Sequence, residues 1–355
     1  APLRGGRALL DPHLGSGRAA LAAALRAERA DLVHVHHFHG LDLCVLSLAR
    51  AAGSATVVTL HDYFATCARF FRVRDGAQAC PADQPRAECA RCLERDAPGA
   101  YAELLSLLGE RERVLREELA GAGARLAVSD AQRRELEAIP QLAGLDFESA
   151  ALPWAEVGGA EVGDAVGART PARGGTLSIV TWGGLVRGKG LRVLVDACAA
   201  LAQPARVELH HHGPLLDAAF AEECRSAARG FKLELHGPFE PAALPGIAAR
   251  HDLAAFPSLF HETHGYAVDE ALRLGLPVLV SDRGAPPERI GTRGLVTRAG
   301  DAAALSACLS ELLDAPETLA RLRGGRHAPV VGLHDHLARL DALYARALSR
   351  RPAPA

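Results

Sequence analysis

Short apolar runs alternate with longer amphipathic ones along nearly the whole chain, and the alternation breaks once. The break is AEVGGAEVGDAVGARTPARGG, residues 155–175, rich in Gly and Ala and without a period, which reads as a linker. Before it, DLVHVHHF (31–38), ATVVTLHD (55–62) and RLAVSD (125–130) are strand patterns. GRAALAAALRAERA (17–30), LDLCVLSLARAAG (41–53) and YAELLSLLGERERVLREELAGAG (101–123) are helix patterns, and Ser129 or Asp130 caps a short helix over 131–138. After the break the pattern restarts. TLSIVTW (176–182), ARVELHHH (205–212), FKLELHG (231–237), DLAAFPS (252–258) and LPVLVSD (276–282) are strands with helices between them, and GDAAALSACLSELLDA (300–315) is a late helix. Alternation of this kind in both halves predicts an α/β protein of two doubly wound domains. The first spans 1–154 and the second 176–332. A terminal helix, LHDHLARLDALYARAL, within 333–355 is expected to pack back on the first.

Composition removes several classes of function. The 355 residues carry 40 basic and 42 acidic side chains, so there is no nucleic-acid footprint. No apolar run approaches a membrane span and no secretory core is visible, which points to the cytoplasm, with peripheral contact at the inner membrane face left open. Lys189 and Lys232 are the two lysines. There is no methionine, not even at residue 1. The reading is that an N-terminal piece is missing or that methionines have been dropped. The first domain accordingly lacks the Gly-rich strand-to-helix turn that would open a complete nucleotide-type domain.

The segment FHETHGYAVDEALRLGLPVLVSD (260–282) places Glu262 before a helix and Glu270 inside it. Ala267, Val268, Ala271 and Leu272 form an apolar stripe. Tyr266, Asp269, Glu270 and Arg273 form a largely polar one. Thr263 is the expected N-cap and Gly275 the expected stop. The unit is strand, loop, helix, strand. Ligands in such sheets bind outside the carboxyl ends of the strands, where a helix N-terminus favours anions. A phosphate suits the amides of 263–266, and carboxylates on either side suit sugar hydroxyls, so the segment has the makings of a nucleotide-sugar site. A solvated face, with Glu270 paired to Arg273, fits the pattern equally well. In VTWGGLVRGKGLRVLVDA (180–197), Lys189 falls at a helix start. A cation there is unfavourable unless an anion shares the site, and lysine is a recurrent phosphate binder. Alone it reads as a solvated lysine; beside the 262–270 unit, the phosphate reading is preferred.

PSLFHETHGYAVDEALRLGLPVLVSDRGAPPERI and GGLVRGKG together resemble family 4 of the retaining GT-B glycosyltransferases, the glycosyl transferases group 1 type. ADLVHVHHFHGLDL and TVVTLHDYFATC extend the resemblance into the first domain. It implies a GT-B fold, two Rossmann-like domains facing across a cleft, and sugar transfer from a nucleoside diphosphate donor to a sugar, lipid-linked sugar or small-molecule acceptor. The configuration of the transferred sugar would be kept, by a front-face route and with no catalytic metal or other cofactor. By the same resemblance Glu262 would hold donor-sugar hydroxyls and Glu270 the ribose. The amides of Thr263, His264, Gly265 and Tyr266 would hold the diphosphate, and Lys189 would neutralise the leaving phosphate. His61 would reach the donor sugar, and the loops at Gly213 and Phe239 would seat the base. Where the family often carries Arg, this chain has Gly184, with Arg187 nearby as a substitute. The family's early Gly-rich loop has no counterpart here. A nucleotide-sugar 2-epimerase and a non-catalytic sugar-nucleotide scaffold are the alternatives.

Four of the eight cysteines, Cys67, Cys80, Cys89 and Cys92, lie within the stretch 63–97, which shows no clear period. The last two form C-x2-C. Either the four thiolates close a structural zinc site that orders the loop, or they are ordinary reduced thiols. The histidines ending two strands, among them His34 and His36, and His210, His211 and His212, read as polar residues closing a strand, since no carboxylate spacing accompanies them.

Overall fold

The computed structural model describes residues 17–74, 78–153, 175–329 and 331–350. They fall in two compact units, one of 17–74, 79–153 and 331–350, the other of 175–329. The predicted linker lies outside the described residues except for Gly175.

In the first unit, β1 (Leu32–Val35), β2 (Ala55–Leu60), β5 (Ala124–Ala127) and β6 (Glu148–Ser149) form a parallel sheet in the order β1-β2-β5-β6. Between them β3 (Val73–Arg74) and β4 (Gln78–Ala79) pair with each other. Every residue of β2 is buried. Val58 and Leu60 join one apolar cluster, with Leu115 and Leu119 of the Tyr101–Gly121 helix. Ala55 and Val57 join another, closed by Leu343 and Ala347 of the Leu333–Ser349 helix. The period of two thus sends alternate residues into separate cores. Glu118, itself buried, accepts hydrogen bonds from the amides of Leu46 (2.7 Å) and Ser47 (3.0 Å), capping the Val45–Ala51 helix from outside it.

The stretch 63–97 is more ordered than its lack of period predicts. Residues Arg86–Glu94 form a helix, so Cys89 and Cys92 lie on it one turn apart. Its apolar face is narrow, Ala90 and Leu93 against Leu104 and Leu108, which is why no stripe is visible in the sequence. The buried Arg111 donates to the Phe64 carbonyl and holds the start of the stretch.

The second unit has six parallel strands: β7 (Leu177–Trp182), β8 (Val207–His212), β9 (Lys232–Leu235), β10 (Leu253–Phe256), β11 (Val278–Ser281) and β12 (Gly294–Thr297). Their order is β12-β11-β10-β7-β8-β9, so the chain reverses direction across the sheet between β7 and β10. Apolar clusters cover both faces, one containing Ile179 and Leu209 and the other Val180 and Ala254. Ligand crevices form where strand order reverses. That point lies between the segments that follow β7 and β10, which carry Lys189 and Glu262.

Candidate active site

At the reversal two backbones press together. The amide of Leu259 donates to Gly188 O at 2.8 Å. Gly190 has φ +77°, and a Cβ there would lie 1.9 Å from Pro257 O. The contact carries Lys189 to Glu262, with Nζ and Oε1 2.5 Å apart. Glu262 is held further by Ser258 Oγ, which donates to the same oxygen at 2.7 Å, while Ser281 Oγ donates to Ser258 O at 2.6 Å. Its backbone is clamped from the loop after β11. Ala285 N donates to Glu262 O at 2.8 Å, and Gly284 bridges to Glu262 so closely that any Cβ would overlap its main chain. Glu262 is therefore held from the ends of β10 and β11, with Lys189 reaching it from the segment after β7.

The helix after Glu262 runs Tyr266–Arg273. Its cap is Gly265 in the left-handed region, not Thr263. It ends as the sequence predicts, with Gly275 at φ +80° and Leu276 N donating to Ala271 O at 3.0 Å. Of the polar stripe, Tyr266 is exposed while Asp269 is buried in a network. Asp269 is buried and pairs with His264 Nε2 at 2.9 Å and with the guanidinium of Arg289, whose Nη2 donates at 2.7 Å. This pins His264, also buried, at the helix start. Glu270 does not pair with Arg273 across the turn; its Oε2 accepts from Trp182 Nε1, at the end of β7, at 2.7 Å. Burial holds the Glu270 carboxyl above the usual carboxylate range, and Asp269 adds to that, while the indole bond opposes it.

Tyr266 is partly exposed beside His264, ring centroids 4.5 Å apart. Gly213 and Phe239 lie on the loops that follow β8 and β9, and the two loops are joined by Gly213 N donating to Gly237 O at 2.7 Å. Arg187 turns away from Lys189. Its guanidinium forms two bonds of 2.6 Å with Glu223 and lies over the Phe220 ring, so Lys189 is the cation that meets Glu262. Sequence reasoning missed Ser258, Trp182, Asp269, Arg289 and Gly284. Trp182 ends β7 and Gly284 lies on the loop after β11, which is a usable signal; the others show their roles through tertiary contact alone.

In the first unit, His61 follows β2 and its Nε2 lies 3.0 Å from His36 Nδ1. Asp62 pairs with His37 at 2.7 Å. Cys67, Cys80, Cys89 and Cys92 are free, partly exposed thiols near enough to influence one another, but no three of their sulfurs lie within 4.8 Å of one another. Burial pushes Cys80 up to about 11 and Cys89 up to about 12, with the nearby Cys67 the next contributor to each. Among the described residues, three metal-ligating atoms gather within 4.8 Å of one another at His210, Glu234 and His236.

Two parallel Rossmann-like sheets are the architecture of the GT-B fold. The model of the "Glycosyl transferases group 1" family matches residues 176–315, and that of "Glycosyltransferase Family 4" matches 5–141. The chain belongs to the family 4 glycosyltransferases and is a retaining, nucleotide-sugar-dependent enzyme of that family. No curated protein matches it in sequence. Among solved structures it is similar to Anabaena HepE in complex with UDP and glucose, at 16% identity and TM-score 0.59 over 95% of this chain and 81% of that one. It is similar too to sucrose-phosphate synthase from Thermosynechococcus elongatus, at 16% identity and TM-score 0.52 over 94% and 76%. The lipopolysaccharide outer core galactosyltransferase WaaB matches at 14% identity and TM-score 0.56 over 92% and 78%. Among the described residues no helix is long and apolar enough to cross a membrane.

Proposed function

We propose that the donor is a uridine diphosphate hexose and that its diphosphate binds at the junction of β7 and β10. The observation that carries this reading is the Lys189–Glu262 pair at the point where strand order reverses. An arriving diphosphate competes with Glu262 for the ammonium. Glu262 then turns its acceptor capacity to hydroxyls of the sugar, while Lys189 meets the charge that grows on the leaving group. The amides that open the Tyr266–Arg273 helix add to that stabilisation. Glu270, on the Tyr266–Arg273 helix and bonded to Trp182 at the end of β7, takes the ribose hydroxyls, and the Gly213 and Phe239 loops flank the base. His61 acts on the donor sugar, and a sugar, lipid-linked or small-molecule acceptor receives it. HepE, solved with UDP-glucose bound, supports the choice of nucleotide and sugar.

Kinetics with UDP-glucose and UDP-galactose test the reading. Lys189→Ala is expected to weaken UDP binding and lower kcat, each by tenfold or more, since a hydrogen bond to a charged group contributes about 1.5–3 kcal/mol. Glu262→Gln is expected to lower turnover while leaving UDP affinity within a few-fold. Unchanged turnover in both variants would falsify the assignment.

We also propose that Cys67, Cys80, Cys89 and Cys92 bind one structural zinc. The support is the C-x2-C on one helical turn and the nearness of Cys67 and Cys80, whose sulfurs would have to draw in to close the site. Elemental analysis of protein purified without added metal is expected to give a zinc content that falls by one equivalent when Cys89 and Cys92 are both replaced by Ser. No zinc lost with those thiols returns them to plain reduced cysteines.

A further inference from the structure

Away from the Lys189–Glu262 pair, one face of β8 and β9 carries a cluster the proposed reaction does not use. His210 and Glu234 are direct partners in the parallel register, and His236 stands two residues beyond Glu234 on the same face. Three atoms converge there. His210 Nδ1 is 3.0 Å from His236 Nε2 and 3.4 Å from Glu234 Oε2, and His236 Nε2 is 3.3 Å from that same oxygen. Tetrahedral coordination with bonds of about 2.0–2.2 Å puts ligand atoms about 3.3–3.6 Å apart. Two edges of the triangle, 3.3 and 3.4 Å, fall in that range, and the third, 3.0 Å, is shorter.

The surroundings match a ligand set. His210 Nε2, the nitrogen facing away from the triangle, lies 3.3 Å from Glu208 Oε2. A carboxylate on the distal nitrogen fixes the tautomer that leaves Nδ1 its lone pair. His236 is held by stacking on His212, ring centroids 4.2 Å apart and planes 7° apart. Lys232 is bonded to the other oxygen of Glu234, Oε1, at 2.7 Å, which leaves Oε2 for the triangle.

We propose that His210, Glu234 and His236 bind a divalent transition-metal ion of the zinc type, with water completing the fourth position and Glu208 orienting His210. Two imidazoles and a carboxylate select such an ion over magnesium or calcium, which prefer all-oxygen sets. The ion pins the edge strand β9 to β8 directly beneath the joined loops at Gly213 and Gly237. Its role is to hold that edge of the sheet, and the proposal stands whether or not the donor reading does.

The test uses untagged full-length protein stripped with a chelator and titrated with Zn2+ and, separately, Co2+. Wild type is expected to bind one equivalent more than His236→Ala, a substitution at a partly exposed position, and to gain thermal stability from that equivalent. The Co2+ difference spectrum between the two proteins is expected to show tetrahedral bands without thiolate charge transfer, which separates this site from the cysteines. Glu208→Gln is expected to weaken the same equivalent about 10–100-fold. Equal metal content in wild type and His236→Ala, or a difference spectrum carrying thiolate charge transfer, overturns the proposal.

Discussion

Asp269 and Glu270 are adjacent on one helix and meet different fates. Asp269 is turned inward, paired to His264 and Arg289. Glu270 is partly buried against one indole donor, and its carboxyl is raised above the ordinary range. A raised acid stabilises the folded state below the unfolded carboxyl pKa, and that contribution is lost as pH rises through the folded value. Ionised Glu270 is therefore a cost at neutral pH. Glu270→Gln keeps an oxygen for Trp182 and removes the charge. It is expected to melt at or above the wild-type temperature at pH 7, with the advantage shrinking toward acid pH, while UDP affinity drops tenfold or more. Melting curves across pH and UDP titrations check both halves; unchanged UDP affinity removes Glu270 from the ribose. At this scale the sequence singled out Glu262, Glu270 and Lys189, because their spacing around a helix start is a local property. Ser258 and Arg289 were illegible, because what makes them matter is a contact with another segment rather than a pattern in their own.

The elements themselves were largely readable, since alternation of short apolar runs and amphipathic ones is a one-dimensional record of a parallel sheet and its crossovers. The misses have local causes. The Arg86–Glu94 helix buries Ala90 and Leu93 alone and so lacks a stripe. The Tyr266–Arg273 helix is capped by a left-handed glycine rather than a side-chain oxygen. The closeness of the β7 and β10 loops was also hidden, and it yields a comparison. Gly190 and Gly275 both sit at positive φ, +77° and +80°, but a Cβ at Gly275 meets nothing within 4 Å while one at Gly190 strikes Pro257 O. Gly275→Ala is expected to cost only the left-handed strain, about 1–2 kcal/mol. Gly190→Ala must in addition push apart the loops that hold Lys189 and Glu262. It should lose clearly more stability in denaturant titrations and most of its turnover. Equal losses for the two alanines would mean that the loops separate freely, and that the ion pair does not depend on their contact.

For the whole molecule, the chain does not divide at one point. After completing the second unit it returns, and the Leu333–Ser349 helix belongs to the first. Leu343 and Ala347 fill the cluster under Val57 and Leu126, and Tyr344 OH lies 2.7 Å from His34 Nδ1, the imidazole whose Nε2 meets Thr59. Arg346 pairs with Glu148 at 2.7 Å, tying the helix to β6 as well. A sequence-distant segment thus completes one face of the first sheet, and damage to it should be felt there. Leu343 is almost wholly buried, and truncation of such a side chain to alanine costs about 2–5 kcal/mol. Leu343→Ala is therefore expected to lower the unfolding transition of the first unit. The apolar clusters of the second unit contain no residue of this helix, so UDP, as the ligand of that unit, should still raise the melting temperature of the remaining transition by the wild-type amount. Calorimetry with and without UDP separates the two effects. If the variant loses the UDP-induced shift together with the first transition, the donor site depends on the first unit for its integrity, and the assignment of nucleotide binding to the second unit alone fails.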